Sequence, residues 1–417
     1  MNRISRSASK QVSIPASRPR LPLVFLLSGL AAILAPLHSA SADESSPVVY
    51  VEGNDPSNNS VLAYHLNRHG ELEQIEGSPF STHGKGVFDA SLKLGPFDSD
   101  QILTTNAERT LLYAVNPGSN TVAAFHIQAD GSLEDVAGSP FPSGGTNPVS
   151  VGVSGDTLVV VNKAMDPAQP GSLVPNYVTF RIGEDGALLP KPLSSVQSPV
   201  GSSPSQALVS PDKRLVFGSD FLGGKLQSFV LTPGGRLEQN APQAPSAAAY
   251  GTSPAPRLGL GLAANPRRPV VYVGLVTISK IAVYEYDEEG VLHFVRAIAD
   301  SGAGVCWLRS NATGTRLYAS NTGDASITVY DTSDALNPVE LQRYPLLGGG
   351  NGFQLELDPT NTHLFSVTQR ASATTAPGTG NNLHVLDIDA NGLLSQSAQT
   401  QALPVSALVR PQGLATR

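Results

Sequence analysis

Seven copies of a short apolar strand motif constrain the fold of this chain more than any other feature of its sequence. The copies occupy residues 48–51, 111–114, 158–161, 215–218, 270–273, 316–319 and 363–366. The shortest step between their centres is 46 residues (272 to 318) and the longest is 63 residues (50 to 113). A strand-rich repeat of roughly 40 to 50 residues is typical of the blades of a β-propeller, a ring of sheets around a central channel.

The sequence around each copy predicts further strands. A second apolar run follows every copy, and in six of the seven a glycine turn (residues 70, 131, 186, 235, 290 and 392) then leads to an outer strand. Short strands that would line the channel precede the later copies at residues 101–105, 148–153, 206–210, 258–263, 305–309 and 353–357. The first copy has no such strand before it, but residues 412–415, close to the C-terminus, resemble one.

These patterns predict an all-β fold, a seven-bladed β-propeller of four-stranded antiparallel blades. The C-terminal strand would complete the first blade and close the ring, which leaves no open radial edge. The apolar stretches lack a helical period, so we expect almost no helix. A propeller uses all its blades as one unit, and residues 43–417 are therefore predicted to form a single domain.

Residues 1–42 have the pattern of a secretory signal peptide. Five basic residues and no acidic residue accompany an apolar run from Leu21 to Leu37, and Ala40-Ser41-Ala42 fits a cleavage site. The alternative is an uncleaved membrane anchor, although this run is short for a membrane span and contains two prolines. The pattern predicts a periplasmic or secreted protein with no membrane span in the mature chain.

The formal charge argues against one class of partner. All 34 acidic residues but only 22 of the 27 basic residues follow residue 42, so the mature chain carries a formal charge of −12. This excess of negative charge disfavours nucleic acids and anionic membranes. The sequence has no phosphate-binding glycine loop, no Gly-x-Ser-x-Gly and no His-Glu-x-x-His. We expect a monomer without a cofactor.

Four long insertions fall on one face of the predicted ring, which we call the long-loop face. They are residues 83–100, 163–176, 240–256 and 371–381. Two join consecutive blades and two join the second and third strands of a blade, and both kinds of connection lie at the same face. Long loops on a rigid scaffold often carry binding and catalytic residues. The alternative is that these proline-rich segments are flexible and carry no function.

The candidate site consists of polar residues at strand ends on the long-loop face. Amides dominate this set, whereas a metal site favours convergent carboxylates or histidines, so no metal ligands are predicted. Asp220 or Asp100 is the predicted catalytic base, and Lys163 is grouped with them as a residue that could hold an anionic substrate. The predicted substrate-binding residues are Asn116, Asn162, Gln206, Arg257, Trp307, Asn321 and Arg370.

The amino-acid sequence of the repeats resembles that of the seven-bladed lactonase propellers. The segments that carry the resemblance are LYAVN at residues 112–116, TVAAFHI at residues 121–127 and SPSQALVSPD at residues 203–212. This family includes the propeller-type 6-phosphogluconolactonases and the carboxymuconate cyclases, and the resemblance spans residues 47–415. It implies a propeller fold with a site on the channel face that uses histidine, arginine and glutamate.

This chain departs from the family at several of those positions. Gln206 stands where the family has a histidine, and Asn321 stands where a glutamate is expected. Asn351-Gly352 replaces a Pro-Arg pair, and residues 302–307 replace a segment similar to Pro-Arg-His. The family's catalytic positions are thus substituted together.

Two functions are consistent with this sequence. The first is an exported hydrolase or cyclase that acts on a lactone, a cyclic ester or a related anionic small molecule at the channel mouth. The second is a non-catalytic propeller that binds a peptide, glycan or protein partner. The character of the mouth discriminates between them, because buried convergent charges favour an enzyme and an open, amide-lined funnel favours binding.

Overall fold

Seven four-stranded antiparallel sheets surround a central channel in the computed structural model, so the predicted fold is confirmed. The structure describes residues 46–88, 98–164, 174–370, 380–396, 400–406 and 409–417. The predicted signal peptide and parts of three long loops (residues 89–97, 165–173 and 371–379) lie outside the described residues. No helix in the described part of the chain is long and apolar enough to cross a membrane.

The strands follow the predicted order, and in blades one, two and seven the outer edge consists of two short segments. Blade one has β1 (Val48–Glu52), β2 (Ser60–Leu66), β3 (Leu72–Gln74) and β4 (Phe80–Ser81); blade two has β5 (Leu103–Thr105), β6 (Leu111–Asn116), β7 (Thr121–Ile127), β8 (Leu133–Asp135) and β9 (Phe141–Pro142). Blade three has β10 (Pro148–Ser154), β11 (Thr157–Asn162), β12 (Asn176–Arg181) and β13 (Ser194–Gln197); blade four has β14 (Leu208–Val209), β15 (Leu215–Asp220), β16 (Lys225–Leu231) and β17 (Leu237–Gln239).

The remaining blades repeat this arrangement. Blade five has β18 (Gly259–Ala264), β19 (Val270–Leu275), β20 (Lys280–Tyr286) and β21 (Leu292–Ala299); blade six has β22 (Val305–Ser310), β23 (Arg316–Asn321), β24 (Ser326–Asp331) and β25 (Val339–Pro345). Blade seven has β26 (Asn351–Leu357), β27 (His363–Gln369), β28 (Asn382–Ile388), β29 (Leu394–Ser395) and β30 (Gln401–Ala402), and β31 (Leu414–Thr416) completes blade one. Helix is limited, in the described residues, to α1 (Ala247–Tyr250) and one 3-10 turn (Val276–Ile278).

The hydrophobic core lies between blades. Buried apolar side chains of the described residues form seven clusters, six of which are shared by two neighbouring blades. The seventh lies mainly between blades six and seven and also includes Phe221 and Leu260 of blades four and five. In β1, Val48 and Tyr50 pack toward blade two, whereas Val49 and Val51 pack toward blade seven. Successive side chains of a strand point to opposite faces, so a strand buried on both faces is apolar at most positions. This explains why the seven motifs are continuous apolar runs rather than alternating ones.

Buried tyrosines join consecutive blades by hydrogen bonds. The Tyr50 hydroxyl donates to the carbonyl of Gly131 at 2.9 Å, and Tyr113 donates to the carbonyl of Gly186 at 3.0 Å. In each pair the acceptor belongs to the outer hairpin turn of the next blade. Tyr272 and Tyr318 bond in the same way to the carbonyls of Ala335 and Gly392, at 3.0 and 3.1 Å, and burial raises the pKa of both hydroxyls to about 12. Each of these tyrosine hydroxyls therefore stays neutral at physiological pH and keeps the proton that it donates to the next blade.

The ring closes between the two ends of the chain, as predicted. In the antiparallel pairing of β1 with β31, Tyr50 lies opposite Ala415 and Val51 lies opposite Leu414. Val48 and Arg417 exchange two backbone hydrogen bonds, at 3.0 and 2.9 Å. The C-terminal residues are therefore the innermost strand of blade one.

Deletion of residues 408–417 should make the protein insoluble or lower its melting temperature strongly. Each buried apolar side chain lost, such as Leu414, removes about 1.5–3 kcal/mol, against a net domain stability of about 5–15 kcal/mol. Thermal unfolding followed by circular dichroism measures the effect. A truncated protein that melts within a degree or two of the full chain would refute closure by β31.

Candidate functional site

Residues 98–101, which we call the axial segment, close the long-loop end of the channel along its axis. The carbonyl oxygen of Ser99 accepts three side-chain hydrogen bonds there. They come from Trp307 Nε1 at 2.8 Å, Gln412 Nε2 at 2.9 Å and Gln354 Nε2 at 3.2 Å. The Ser99 carbonyl, which precedes blade two, is thereby bonded to Trp307 in the inner strand of blade six and to Gln354 in the inner strand of blade seven. Its third partner, Gln412, directly precedes the inner strand of blade one.

The rest of the axial segment is bonded to blades three and four. The amide of Asp100 donates to the carbonyl of Ser205 at 2.9 Å, and the amide of Val151 donates to the carbonyl of Gln101 at 2.8 Å. Gln206 Nε2 donates to Gln101 Oε1 at 2.8 Å. The axial segment thus contacts five other blades.

Asp100 is buried and paired with Arg309. Guanidinium nitrogens Nη1 and Nη2 donate to the two carboxylate oxygens of Asp100 at 3.1 and 3.0 Å, and Nε donates to Glu356 at 2.9 Å. Burial opposes the charge on Arg309, but the two carboxylates raise its pKa above its usual value. Neither Arg309 nor Glu356 was identified from the sequence. The available signal was a charged residue at the equivalent position of two consecutive, mostly apolar inner strands.

A second buried group of charges, which we call the charge cluster, contains Asp98, Lys163, Ser203 and Asp220. Lys163 Nζ lies 3.0 Å from Asp98 Oδ2, and the two side chains are 7% and 2% exposed. The Ser203 hydroxyl also donates to Asp98 Oδ2. Burial raises the pKa of Asp98, as does the Asp220 charge, while Lys163 and the Ser203 hydrogen bond lower it. The net direction is upward.

Asp220 ends β15 and holds the backbone around it. Its Oδ1 accepts the amides of Ser203 at 2.6 Å and Gly223 at 2.9 Å. A Cβ on Gly223 would lie 2.0 Å from Asp220 Oδ2, so the close approach of the turn requires glycine. The structure therefore brings two predicted catalytic residues, Lys163 and Asp220, to the same cluster, where Asp98 and Ser203 connect them. Asp98 was not among the predicted catalytic residues.

Asn116, Asn162 and Asn321 occupy equivalent positions at the ends of β6, β11 and β23, and all three are fully buried. Each lies beneath a glycine of the connection that enters its blade (Gly84, Gly145 and Gly302, respectively), where a Cβ would come within 2.1–2.5 Å of the amide group. Asn162, for example, donates to the carbonyl of Ser143 at 3.1 Å. Asn116 and Asn162 thus bond to the connections that enter their blades, whereas Asn321 bonds to Ser326 and Thr328 of β24. A contact of these amides with substrate stays a prediction.

Three other predicted substrate-binding residues differ in exposure. Gln206 is buried and bonds to both the amide and the carbonyl of Leu262, at 2.8 and 3.0 Å. Trp307 is buried and holds the axial segment. Arg257 is exposed, with its guanidinium 5.9 Å from the centre of the Tyr250 ring. Arg257 is thus the member of this trio that solvent reaches.

Arg370 lies near a second arginine that the sequence reasoning missed. Its backbone amide donates to Asn381 Oδ1 at 2.8 Å. Arg410 is buried, and its guanidinium carbon lies 5.4 Å from the centre of the Phe88 ring. Burial lowers the pKa of Arg410, and the nearby charge of Arg370 lowers it further. The charges of these two guanidinium groups therefore interact where blades seven and one adjoin at the long-loop face.

A cavity of about 450 Å³, which we call the channel cavity, lies on the other side of the axial segment. Arg109, Pro211, Pro266 and Asn311 line it, and these residues belong to the turns between the first and second strands of their blades. The channel cavity therefore reaches the face opposite the long loops, which we call the turn face. In the part of the chain that the structure describes, no group of three or more His, Cys, Asp or Glu residues could hold a metal ion.

The structure has clear neighbours among solved structures. It resembles the periplasmic gluconolactonase PpgL of Pseudomonas aeruginosa, with a TM-score of 0.67, 16% identity, and coverage of 89% of this chain and 99% of that one. A Bacteroides uniformis protein described as a “putative 6-phosphogluconolactonase” gives the same four values. A Lactobacillus plantarum protein matches with a TM-score of 0.63, 18% identity, and coverage of 89% and 98%.

These neighbours confirm the resemblance to lactonase propellers that the repeats indicated. At such low identities the likeness establishes a shared fold and leaves substrate and activity open. No protein-family profile and no curated protein matches the chain.

Replacement of Arg309 by Met should lower the free energy of unfolding by about 3–5 kcal/mol, because it leaves Asp100 buried without its cation. Urea unfolding measures this change. The double variant Arg309→Met/Asp100→Asn should recover part of the loss. Arg181→Met, which breaks the more exposed pair with Asp156, should cost less than about 1 kcal/mol. A single Arg309 variant as stable as the Arg181 variant would contradict this account of the axial segment.

Proposed function

We propose that the mature chain is an exported hydrolase of the lactonase type that opens a lactone or related cyclic ester at the long-loop face. The observation that carries the proposal is the charge cluster, in which a carboxylate with a raised pKa lies 3.0 Å from a buried ammonium. Buried, convergent charges with perturbed pKa values are typical of catalytic sites. The gluconolactonase among the structural neighbours supports the reaction class, and its periplasmic location supports export.

The chemistry of lactone opening matches the groups of the charge cluster. Asp98, as a carboxylate, takes a proton from water while the water oxygen attacks the ring carbonyl carbon. Lys163 stabilises the negative charge that develops on the carbonyl oxygen. The ring C–O bond then breaks, and the proton on Asp98 passes to the departing ring oxygen to give the hydroxy acid. The backbone bonds of Asp220 hold the Ser203 and Gly223 segments in place around this pair.

Cationic side chains at the long-loop face would orient the substrate. Arg370, beside Arg410, provides positive charge for a carboxylate or another anionic substituent. Arg257, exposed over Tyr250, provides a further guanidinium on the same face. We propose a monomer that needs no cofactor for this reaction, since water, one base and one cation suffice for it.

A second function is favoured by one observation. Gln206, which stands at the position of the family's histidine, is fully occupied by Leu262 and Gln101 and acts as a link between blades. A chain that has converted a catalytic position into a structural one is consistent with a binding propeller for a peptide, glycan or protein. A folded protein without turnover on any lactone would favour this alternative.

Replacement of Asp98 by Asn should reduce kcat/KM on a lactone panel by about 10²–10⁴-fold, because it removes the base. The assay is pH-stat titration of protein from a periplasmic extract, whose N-terminus should be Asp43. Activity of the unmodified protein should rise with pH as Asp98 loses its proton. Because the pKa of Asp98 is raised, this increase in activity should occur at a higher pH than the deprotonation of an ordinary aspartate would give.

The matched control is Asp156→Asn. Asp156 is paired with Arg181 and its side chain is 64% exposed, so the activity of this variant should be unchanged. An Asp98→Asn protein with full activity would overturn the assignment of the base. Absence of turnover above buffer in the folded, unmodified protein would overturn the hydrolase proposal itself.

A further inference from the structure

Ser203 lies between the two carboxylates of the charge cluster and bonds to both of them. Its hydroxyl donates to Asp98 Oδ2, and its amide donates to Asp220 Oδ1 at 2.6 Å. Its carbonyl accepts the amide of Phe221, the residue after Asp220, at 2.9 Å. Ser203 is buried, and both of its backbone groups are held at the end of β15. These bonds fix the position from which its hydroxyl reaches Asp98.

The two carboxylate oxygens of Asp98 have different surroundings. Oδ2 accepts the Ser203 hydroxyl and lies 3.0 Å from Lys163 Nζ. Lys163 Nζ also donates to the backbone carbonyl of Asp98 at 3.3 Å, so the ammonium is tied to this residue at two points. Among the described residues, no donor bonds to Oδ1.

This difference decides which oxygen can act as the base. Each carboxylate oxygen offers two lone pairs to donors. The Ser203 hydroxyl and the Lys163 ammonium occupy both lone pairs of Oδ2, whereas those of Oδ1 bond to none of the described residues. A proton that arrives at Oδ1 displaces no such bond. Oδ2 is therefore the oxygen that holds the carboxylate in one orientation, and Oδ1 is the oxygen that can accept a proton.

We propose that Ser203 is a positioning residue of this site, which with Lys163 holds Oδ2 of Asp98 so that Oδ1 takes the proton from the attacking water. This role rests on the proposed function, in which Asp98 is the base. Ser203 touches Asp98 rather than the substrate, and it keeps its own proton throughout the reaction. The proton that Oδ1 takes from water later passes to the departing ring oxygen, which regenerates the carboxylate.

Loss of the Ser203 hydroxyl should change the protonation of Asp98 in a defined direction. Burial raises the pKa of Asp98 and the Asp220 charge adds to this, whereas the Lys163 charge lowers it. The Ser203 hydrogen bond also lowers the pKa of Asp98, because a donor stabilises the charged carboxylate. Without this donor the pKa of Asp98 should be higher still, and less of the base should be present at neutral pH.

Ser203→Ala tests this role in the lactone assay. The pH at which activity rises should move up by about one unit, and kcat at neutral pH should fall about tenfold while KM stays unchanged. Ser203→Thr, which keeps the hydroxyl, should restore the pH profile and kcat. The matched control is Ser205→Ala, because Ser205 is also buried but its hydroxyl bonds to Ser219. This control should leave the pH profile unchanged.

A measurement on the protein alone separates the role of Ser203 from the hydrolase activity. NMR of protein labelled with isotopic aspartate follows the carboxyl carbon of Asp98, and Asp98→Asn identifies its signal. The pKa of Asp98 should be higher in Ser203→Ala than in the unmodified protein, and unchanged in Ser205→Ala. A raised pKa in a protein that turns over no lactone would support the coupling of Ser203 to Asp98 and contradict the hydrolase proposal alone.

A purely structural role for Ser203 predicts a different result. In that case Ser203→Ala would lower the stability but leave the pH profile and the pKa of Asp98 unchanged, and this outcome in a folded protein would overturn the proposal. If Ser203→Ala does not fold, Ser203→Cys carries the test, because a thiol is a weaker donor than a hydroxyl. The pH profile should then move up by part of the same shift, and an unmoved profile would count against the role.

Discussion

The hydrogen bonds of the axial segment are the interaction on which the rest of the structure depends. A propeller leaves the inner edges of its blades facing a channel, and those edges carry polar groups that must be bonded. Here one carbonyl, that of Ser99, accepts side-chain bonds from three blades, and the neighbouring Asp100 binds Arg309 through both oxygens. The ring is thus fastened at its axis as well as between neighbouring blades.

The same segment divides the channel into two environments. On the long-loop side, Asp98 and Lys163 are buried together and form the pair proposed for hydrolysis. On the turn side, Arg309 and Glu356 line the channel cavity. Both environments obtain their charges from positions close to the axial segment, so a change in the path of this segment would alter both environments.

The sequence was sufficient for the fold because every blade repeats the same physical demand. A strand buried on both faces is apolar at most positions, and seven such strands, six of them followed by a glycine turn, leave few alternatives to a closed ring. Even the closure by residues 412–415 was predictable from strand counting. The site was only partly predictable. The strand-end position of Asn116 was correctly located, but the glycine above it is visible only in three dimensions. Ser99 of the axial segment bonds to Trp307 and Gln412, which lie 208 and 313 positions away in the sequence. No local sequence pattern specifies contacts over such separations.

Hydrogen exchange followed by mass spectrometry tests the central claim most directly, because it reports whether the axial segment is anchored in solution. The amide of Asp100 is bonded to Ser205, and Ser99 is buried. A peptide covering residues 98–103 should therefore exchange as slowly as one covering the inner strand at residues 259–264, that is, only on global unfolding. Exchange of residues 98–103 as fast as that of an exposed turn would contradict the account, since a loosely held segment could neither fasten the ring nor separate the charge cluster from the channel cavity.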